Sequence, residues 1–142
     1  MPLSLSQHDH QALLNNRTIL VVDDEGMIRS LVSQMLAGNG YRVLEAASGA
    51  EALRVLESAP AVDLLLTDIV MPGMDGYETM RAIRAQSAFR SLPLIAVTAK
   101  AMKGDREKCL DAGASDYVSK PIDMDQLLAV LRVQLARRGE VV

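Results

Sequence analysis

The sequence is poor in the residues that most narrow a protein's chemistry. It has one cysteine, Cys109, no tryptophan, one phenylalanine and three tyrosines. A lone cysteine excludes an internal disulfide and fits a reducing compartment. With no activating partner visible in the sequence, Cys109 reads as a small buried apolar residue. Aromatics at 3% and a net charge of −3 leave no basic, aromatic-studded surface for nucleic acid. No apolar run approaches the roughly 20 residues that cross a bilayer. The start, Met1-Pro2-Leu3-Ser4-Leu5-Ser6, has neither the basic residues nor the apolar core of a signal peptide. What remains is a soluble cytoplasmic chain with neither nucleic acid nor a membrane as its direct partner. Its 142 residues are enough for one domain with its own core.

What the chain does have is a set of short apolar runs that stop at polar residues. Leu64-Leu65-Leu66-Thr67 is too short for a typical helix and reads as a strand buried on both faces, the habit of parallel sheets. It ends at Asp68, and Met71-Pro72-Gly73 turns the chain away. Ligands of open α/β sheets bind outside the carboxyl ends of the strands, so Asp68 stands where chemistry occurs. The run Thr18 to Val22 likewise ends at Asp23-Asp24-Glu25, Pro93 to Val97 ends at Thr98, and Ser115 to Ser119 precedes Lys120-Pro121. Tyr41 to Ala46 supplies one more short strand.

Helical spacing fills the intervals. Ile28, Leu31, Val32, Met35 and Leu36 form one apolar stripe, ended by Gly38 and Gly40. Ser48 and Glu51 have the spacing of a capping box and open a helix with Ala52, Val55 and Leu56 inward. Asp75-Gly76-Tyr77-Glu78 starts a helix carrying Met80 and Ile83 inward. The stretch from Gly104 to Ala112 has a thin apolar face of Met102, Cys109 and Leu110, which predicts low local stability. The last helix, from about Asp123 to Arg137, buries Met124, Leu127, Leu128, Leu131 and Leu135. Five alternating strand–helix units predict an α/β doubly wound, parallel sheet. Residues 1–16 read as a flexible leader, in which His8 and His10 flank Asp9 without making a convincing metal site.

A parallel sheet gathers Asp23, Asp24, Asp68, Thr98 and Lys120 at one edge. Three clustered carboxylates repel one another and persist together when a cation offsets them. Hard oxygen ligands in small number favour Mg²⁺ shared with a substrate phosphate. A carboxylate there can act as a nucleophile and form an aspartyl-phosphate. Lys120, Thr98 and the metal would then stabilise the transferring group.

These pieces resemble the receiver domain of two-component signalling. The resemblance rests on Ile19 to Glu25, Thr67 to Gly76, Val97-Thr98-Ala99 and Asp116 to Pro121, and it covers residues 17–138, leaving 139–142 as a tail. It implies a flavodoxin-like fold of five parallel strands in the order 2-1-3-4-5 with five helices. It also implies that Asp68 accepts a phosphoryl group from a histidine kinase or a histidine phosphotransfer protein. Asp24 and Asp68 would then ligate Mg²⁺, Asp23 would act largely through a water, and the Val70 carbonyl would complete the set. Thr98 and Tyr117 would be the switch residues, Lys120 the catalytic lysine, and Lys120-Pro121 a cis peptide. The surface of residues 100–118 and the last helix would meet a downstream partner. The stretch Thr98 to Asp105 is similar to receivers attached to hybrid histidine kinases.

Two other functions compete for the same residues. A phosphohydrolase of the haloacid-dehalogenase type carries Asp-x-Asp after its first strand, whereas here the candidate nucleophile follows the third and Val70 stands two residues on. A flavin or nucleotide binder needs a phosphate loop where Asp23-Asp24-Glu25 would repel phosphate unless metal is bound, and no Gly-x-x-x-x-Gly-Lys-Ser/Thr loop is present. The receiver reading implies no turnover of a separate substrate.

Overall fold

The computed structural model describes residues 17–58, 61–99 and 103–140. The leader with His8 and His10, and Met102 of the weak helix, lie outside these residues. Among the described residues the chain alternates β1 (Thr18–Val22), α1 (Gly26–Gly38), β2 (Arg42–Ala46), α2 (Gly49–Ser58), β3 (Leu64–Asp68) and α3 (Gly76–Arg84). A short 3₁₀ turn (Ser87–Phe89) leads to β4 (Leu94–Thr98), α4 (Lys103–Asp111), β5 (Asp116–Ser119) and α5 (Met124–Glu140). The strands form one parallel sheet in the order β2-β1-β3-β4-β5, the flavodoxin-like architecture expected.

Alternation along the strands builds two apolar layers. Leu20, Val22 and Leu65 face Ala52 and Leu56 of α2, Met80 and Ile83 of α3, and Cys109 of α4. Ile19, Val21, Leu64 and Leu66 face Val32 and Leu36 of α1 and Leu127, Leu131 and Leu135 of α5. Every residue of β3 is buried, and each of its leucines contributes roughly 1.5–3 kcal/mol by leaving water. That burial fixes the register and delivers Asp68 at the strand's end.

Several expectations needed correction. Leu31 and Met35 are 57% and 39% exposed, because the apolar stripe of α1 is wider than the face that meets the sheet; Val32 and Leu36 do the burying. Leu110 is 43% exposed, and Cys109 carries the anchorage of α4. Three strands begin one residue later than their runs, at Arg42, Leu94 and Asp116. At α2 the Glu51 amide donates to Ser48 Oγ (3.1 Å), but Glu51 accepts from the Ala47 amide instead of that of Ser48. The reciprocal capping box stands at α3, where the Glu78 amide donates to Asp75 (2.8 Å) and the Asp75 amide to Glu78.

Candidate functional site

The carboxyl ends of β1 and β3 bring one carboxylate oxygen each from Asp23, Asp24 and Asp68 within 4.8 Å of one another. Asp23 and Asp68 are buried, and Asp24 is exposed at the rim. Lys120 follows β5 and places Nζ 3.0 Å from Asp68 Oδ1. The same oxygen accepts the Ile69 amide (2.9 Å), which also leans on the Val97 carbonyl across to β4. Both donors fall on Oδ1, so the carboxylate is oriented with Oδ2 as the other face.

Thr98 ends β4 and is buried. Its carbonyl accepts the Lys120 amide (2.8 Å), so the strand that carries the hydroxyl also fixes the start of the lysine loop. The Lys120-Pro121 peptide is cis. Tyr117, paired with Ala96 in the ladder, is half-buried against the layer formed with α2, α3 and α4. Val70, two residues beyond Asp68, has a side chain 74% exposed.

Electrostatics make the trio costly without a cation. Burial above all, with Asp68 and Asp24 nearby, raises the pKa of the Asp23 carboxyl, while the Glu25 amide and Lys120 pull it down. The Glu25 amide donates to Asp23 Oδ1 at 2.9 Å. Lys120 offsets only part of three negative charges. Convergent hard oxygens, clustered and under mutual repulsion, are the donor set that a divalent cation fits.

Three contributors escaped the sequence reading. Arg29 donates through Nη1 to the Asp23 carbonyl (2.7 Å) and through Nε to Glu45 (3.0 Å) on β2. A Cβ on Gly76 would strike the Asp68 carbonyl oxygen and come within 2.7 Å of Ile69 Cα, so only glycine lets α3 start directly beneath the loop that follows Asp68. The Gly76 amide closes that approach by donating to the Ile69 carbonyl (2.9 Å). The position of Arg29 on α1, six residues past Asp23, was the only local signal; Glu45 becomes its neighbour through strand pairing.

A sequence model of the response regulator receiver domain matches residues 19–132, and the chain belongs to that family. It is 41% identical over 119 residues to the response regulator MprA of Mycobacterium ulcerans, covering 84% of this chain and 50% of that protein. It is 40% identical over 119 residues to the sensor histidine kinase RcsC of Salmonella typhi, covering 84% of this chain and 12% of the kinase. The crystal structure of the receiver domain of sensor histidine kinase PA1611 from Pseudomonas aeruginosa PAO1 has a magnesium ion coordinated in its active site cleft. This chain resembles it with a TM-score of 0.78 at 40% identity, covering 85% of this chain and 98% of that one. The chain thus spans about half the length of that response regulator and a much smaller share of the kinase. It is a receiver domain of the kind borne by response regulators and sensor histidine kinases, and the phosphohydrolase alternative finds no support. Among the described residues no helix is long and apolar enough to cross a membrane.

Proposed function

We propose that Asp68 accepts a phosphoryl group from a phosphohistidine of a histidine kinase or a histidine phosphotransfer protein, with Mg²⁺ as cofactor. The observation that carries this reading is the buried Asp68, ion-paired to Lys120 at 3.0 Å and within reach of Asp23 and Asp24. Asp68 Oδ2 attacks phosphorus, an O–P bond forms, and the N–P bond to the donor imidazole breaks. The imidazole nitrogen keeps the electron pair and takes a proton from solvent.

Asp24, Asp68 and the Val70 carbonyl would hold Mg²⁺, with Asp23 acting through a bound water. The cation would supply positive charge opposite the phosphoryl oxygens. Lys120 moves from Asp68 Oδ1 toward a phosphoryl oxygen, a shift that a point-like ammonium on a flexible stem allows. The Thr98 hydroxyl donates to another phosphoryl oxygen and, with Tyr117, reports the change. The chemistry is performed on the protein itself and serves regulation.

The receiver is assigned to residues 17–138, between a leader (1–16) and a tail (139–142), and it works in the cytoplasm. Its free, buried Cys109 thiol fits that reducing compartment. A downstream partner reads the face of residues 100–118 and α5. Acid-labile labelling by acetyl phosphate or a phosphorylated kinase tests the central step. Asp68→Asn keeps the shape, removes the nucleophile and abolishes labelling; wild-type labelling of that variant would place the acceptor elsewhere.

A further inference from the structure

The acidic loop is held from behind by a pair that takes no direct part in the site. Arg29 lies on the first turns of α1, its side chain 21% exposed. One arm of its guanidinium donates to the backbone carbonyl of Asp23 (2.7 Å), and Nε donates to Glu45 Oε1 (3.0 Å). Glu45 sits on β2 opposite Val21 of β1. The loop bearing Asp23 and Asp24 is thereby tied at one point to both the helix that follows it and the edge strand. The Asp23 amide adds a second tie to that strand by donating to the Ala46 carbonyl (3.1 Å).

We infer that Arg29 and Glu45 are a positioning pair that sets the cation affinity of the Asp23–Asp24–Asp68 site. The inference rests on the metal reading given above. Two physical effects require both partners. Arg29 pins the carbonyl of the residue whose carboxylate must stay aimed inward, so the loop does not relax outward under the trio's repulsion. Glu45 holds the fork of Arg29 away from the trio; without it the guanidinium gains freedom to swing onto the carboxylates and occupy the cation's place. Outer partners of this kind orient metal ligands they never touch.

The test is a Mg²⁺ titration of the whole chain, followed by amide NMR at residues 23–25, beside hydrogen exchange without metal. Arg29→Met should raise exchange at residues 24–27 and weaken Mg²⁺ binding about tenfold at a nearly unchanged melting temperature. Arg29→Lys, which keeps the charge but loses the fork, should recover part of that loss. Glu45→Gln should weaken binding by a smaller factor, and the double variant should bind no worse than Arg29→Met, because Glu45 acts through Arg29. Faster exchange with parental affinity would make Arg29 a structural staple and overturn the inference. Additive losses in the double variant would equally overturn the pairing. If Arg29→Met does not fold, Glu45→Gln decides alone, and parental affinity there refutes the inference. A parent protein that takes up no Mg²⁺ would instead bring down the metal reading beneath it.

Discussion

Lys120 Nζ lies 3.0 Å from Asp68 Oδ1, yet the two partners meet water unequally: the lysine side chain is 29% exposed and the aspartate 5%. The anion is fixed by burial and by the Ile69 amide. The cation is paired at its tip and its side chain keeps partial contact with water, so it can follow charge as it moves onto an incoming phosphoryl group. Lys120→Met should therefore slow acetyl phosphate labelling of Asp68 about 10²-fold, the range for losing one donor to developing negative charge. The initial labelling rate at saturating Mg²⁺ measures it. A rate within a few-fold of the parent would deny Lys120 a role in transfer.

The acidic pair should separate metal binding from fold stability. Asp24 is exposed, with one carboxylate oxygen within 4.8 Å of those of Asp23 and Asp68. Asp24→Ala should weaken Mg²⁺ binding about tenfold or more by removing a charged oxygen ligand, without lowering the melting temperature of the metal-free protein. Calorimetric titration and a thermal melt of one sample decide both halves. Unchanged affinity would remove Asp24 from the ligand set.

Asp23 sets a pH dependence whose sign is fixed by its burial. Its carboxyl is held above the ordinary value of 3.8, first by desolvation and then by the neighbouring acids, against the Glu25 amide and Lys120. The folded metal-free protein therefore holds this proton more tightly than the unfolded chain does. The associated stability is complete below pH 3.8 and is lost as pH rises through the higher folded value. Asp23→Asn, neutral throughout, should be more stable than the parent at neutral pH, and this advantage should shrink on acidification. Urea melts of metal-free protein across that range give the slope; a gap independent of pH would contradict the assignment.

The acidic edge was legible in sequence because burial and topology write it there. A run such as Leu64 to Thr67 is buried on both faces, so its apolar residues are continuous and the polar residue that ends it stands out. The parallel order then brings Asp23, Asp68, Thr98 and Lys120 together without further information. Side chains whose partners lie far along the chain were not legible. Arg29 and Arg84 are charged helical residues, and the Glu45 carboxylate and Gly113 carbonyl that they reach become their neighbours only through tertiary packing. Leu31 and Met35 were misread for a related reason. Periodicity shows which side of α1 is apolar, but the width of the contact is set by the sheet beneath it.

Arg84 illustrates how much such a residue can hold. From the end of α3 it donates to the carbonyls of Gly113 (3.0 Å), Phe89 (2.8 Å), Arg90 (3.1 Å) and Leu92 (2.6 Å), and to Ser115 Oγ (3.3 Å). It joins α3 to the start of β4 and to the turn after α4. Arg84→Met should cost about 2–3 kcal/mol, since the carbonyls it serves lose a charged donor. Hydrogen exchange should rise at Gly113 to Ser115 ahead of the sheet. Parental stability in urea would show that water replaces the guanidinium at no cost.

The last prediction concerns how the message leaves the site. Phosphoryl oxygens on Asp68 would be new acceptors for the Thr98 hydroxyl and would draw it, with the segment beyond β4, toward the acidic edge. Tyr117 is paired with Ala96 two residues before Thr98 in β4, and it is half-buried on the side of the sheet that carries α4. A small retreat of the hydroxyl would open space into which the ring can turn. Of the helices beside it, α4 has the least apolar sequence, and Cys109 and Ala112 seat this region in the core. That weak seating makes it the helix most readily displaced by a bias of this size. Beryllofluoride, a stand-in for the phosphoryl group, should shift amide resonances at Asp68, Thr98 and Lys120 and also across residues 103–118. The Tyr117 ring signals should move with them. In Thr98→Ala the changes at Asp68 and Lys120 should persist while those across α4 and at Tyr117 collapse. If the parent's changes stop at the acidic edge and Tyr117 keeps its environment, the signal leaves the domain by another face.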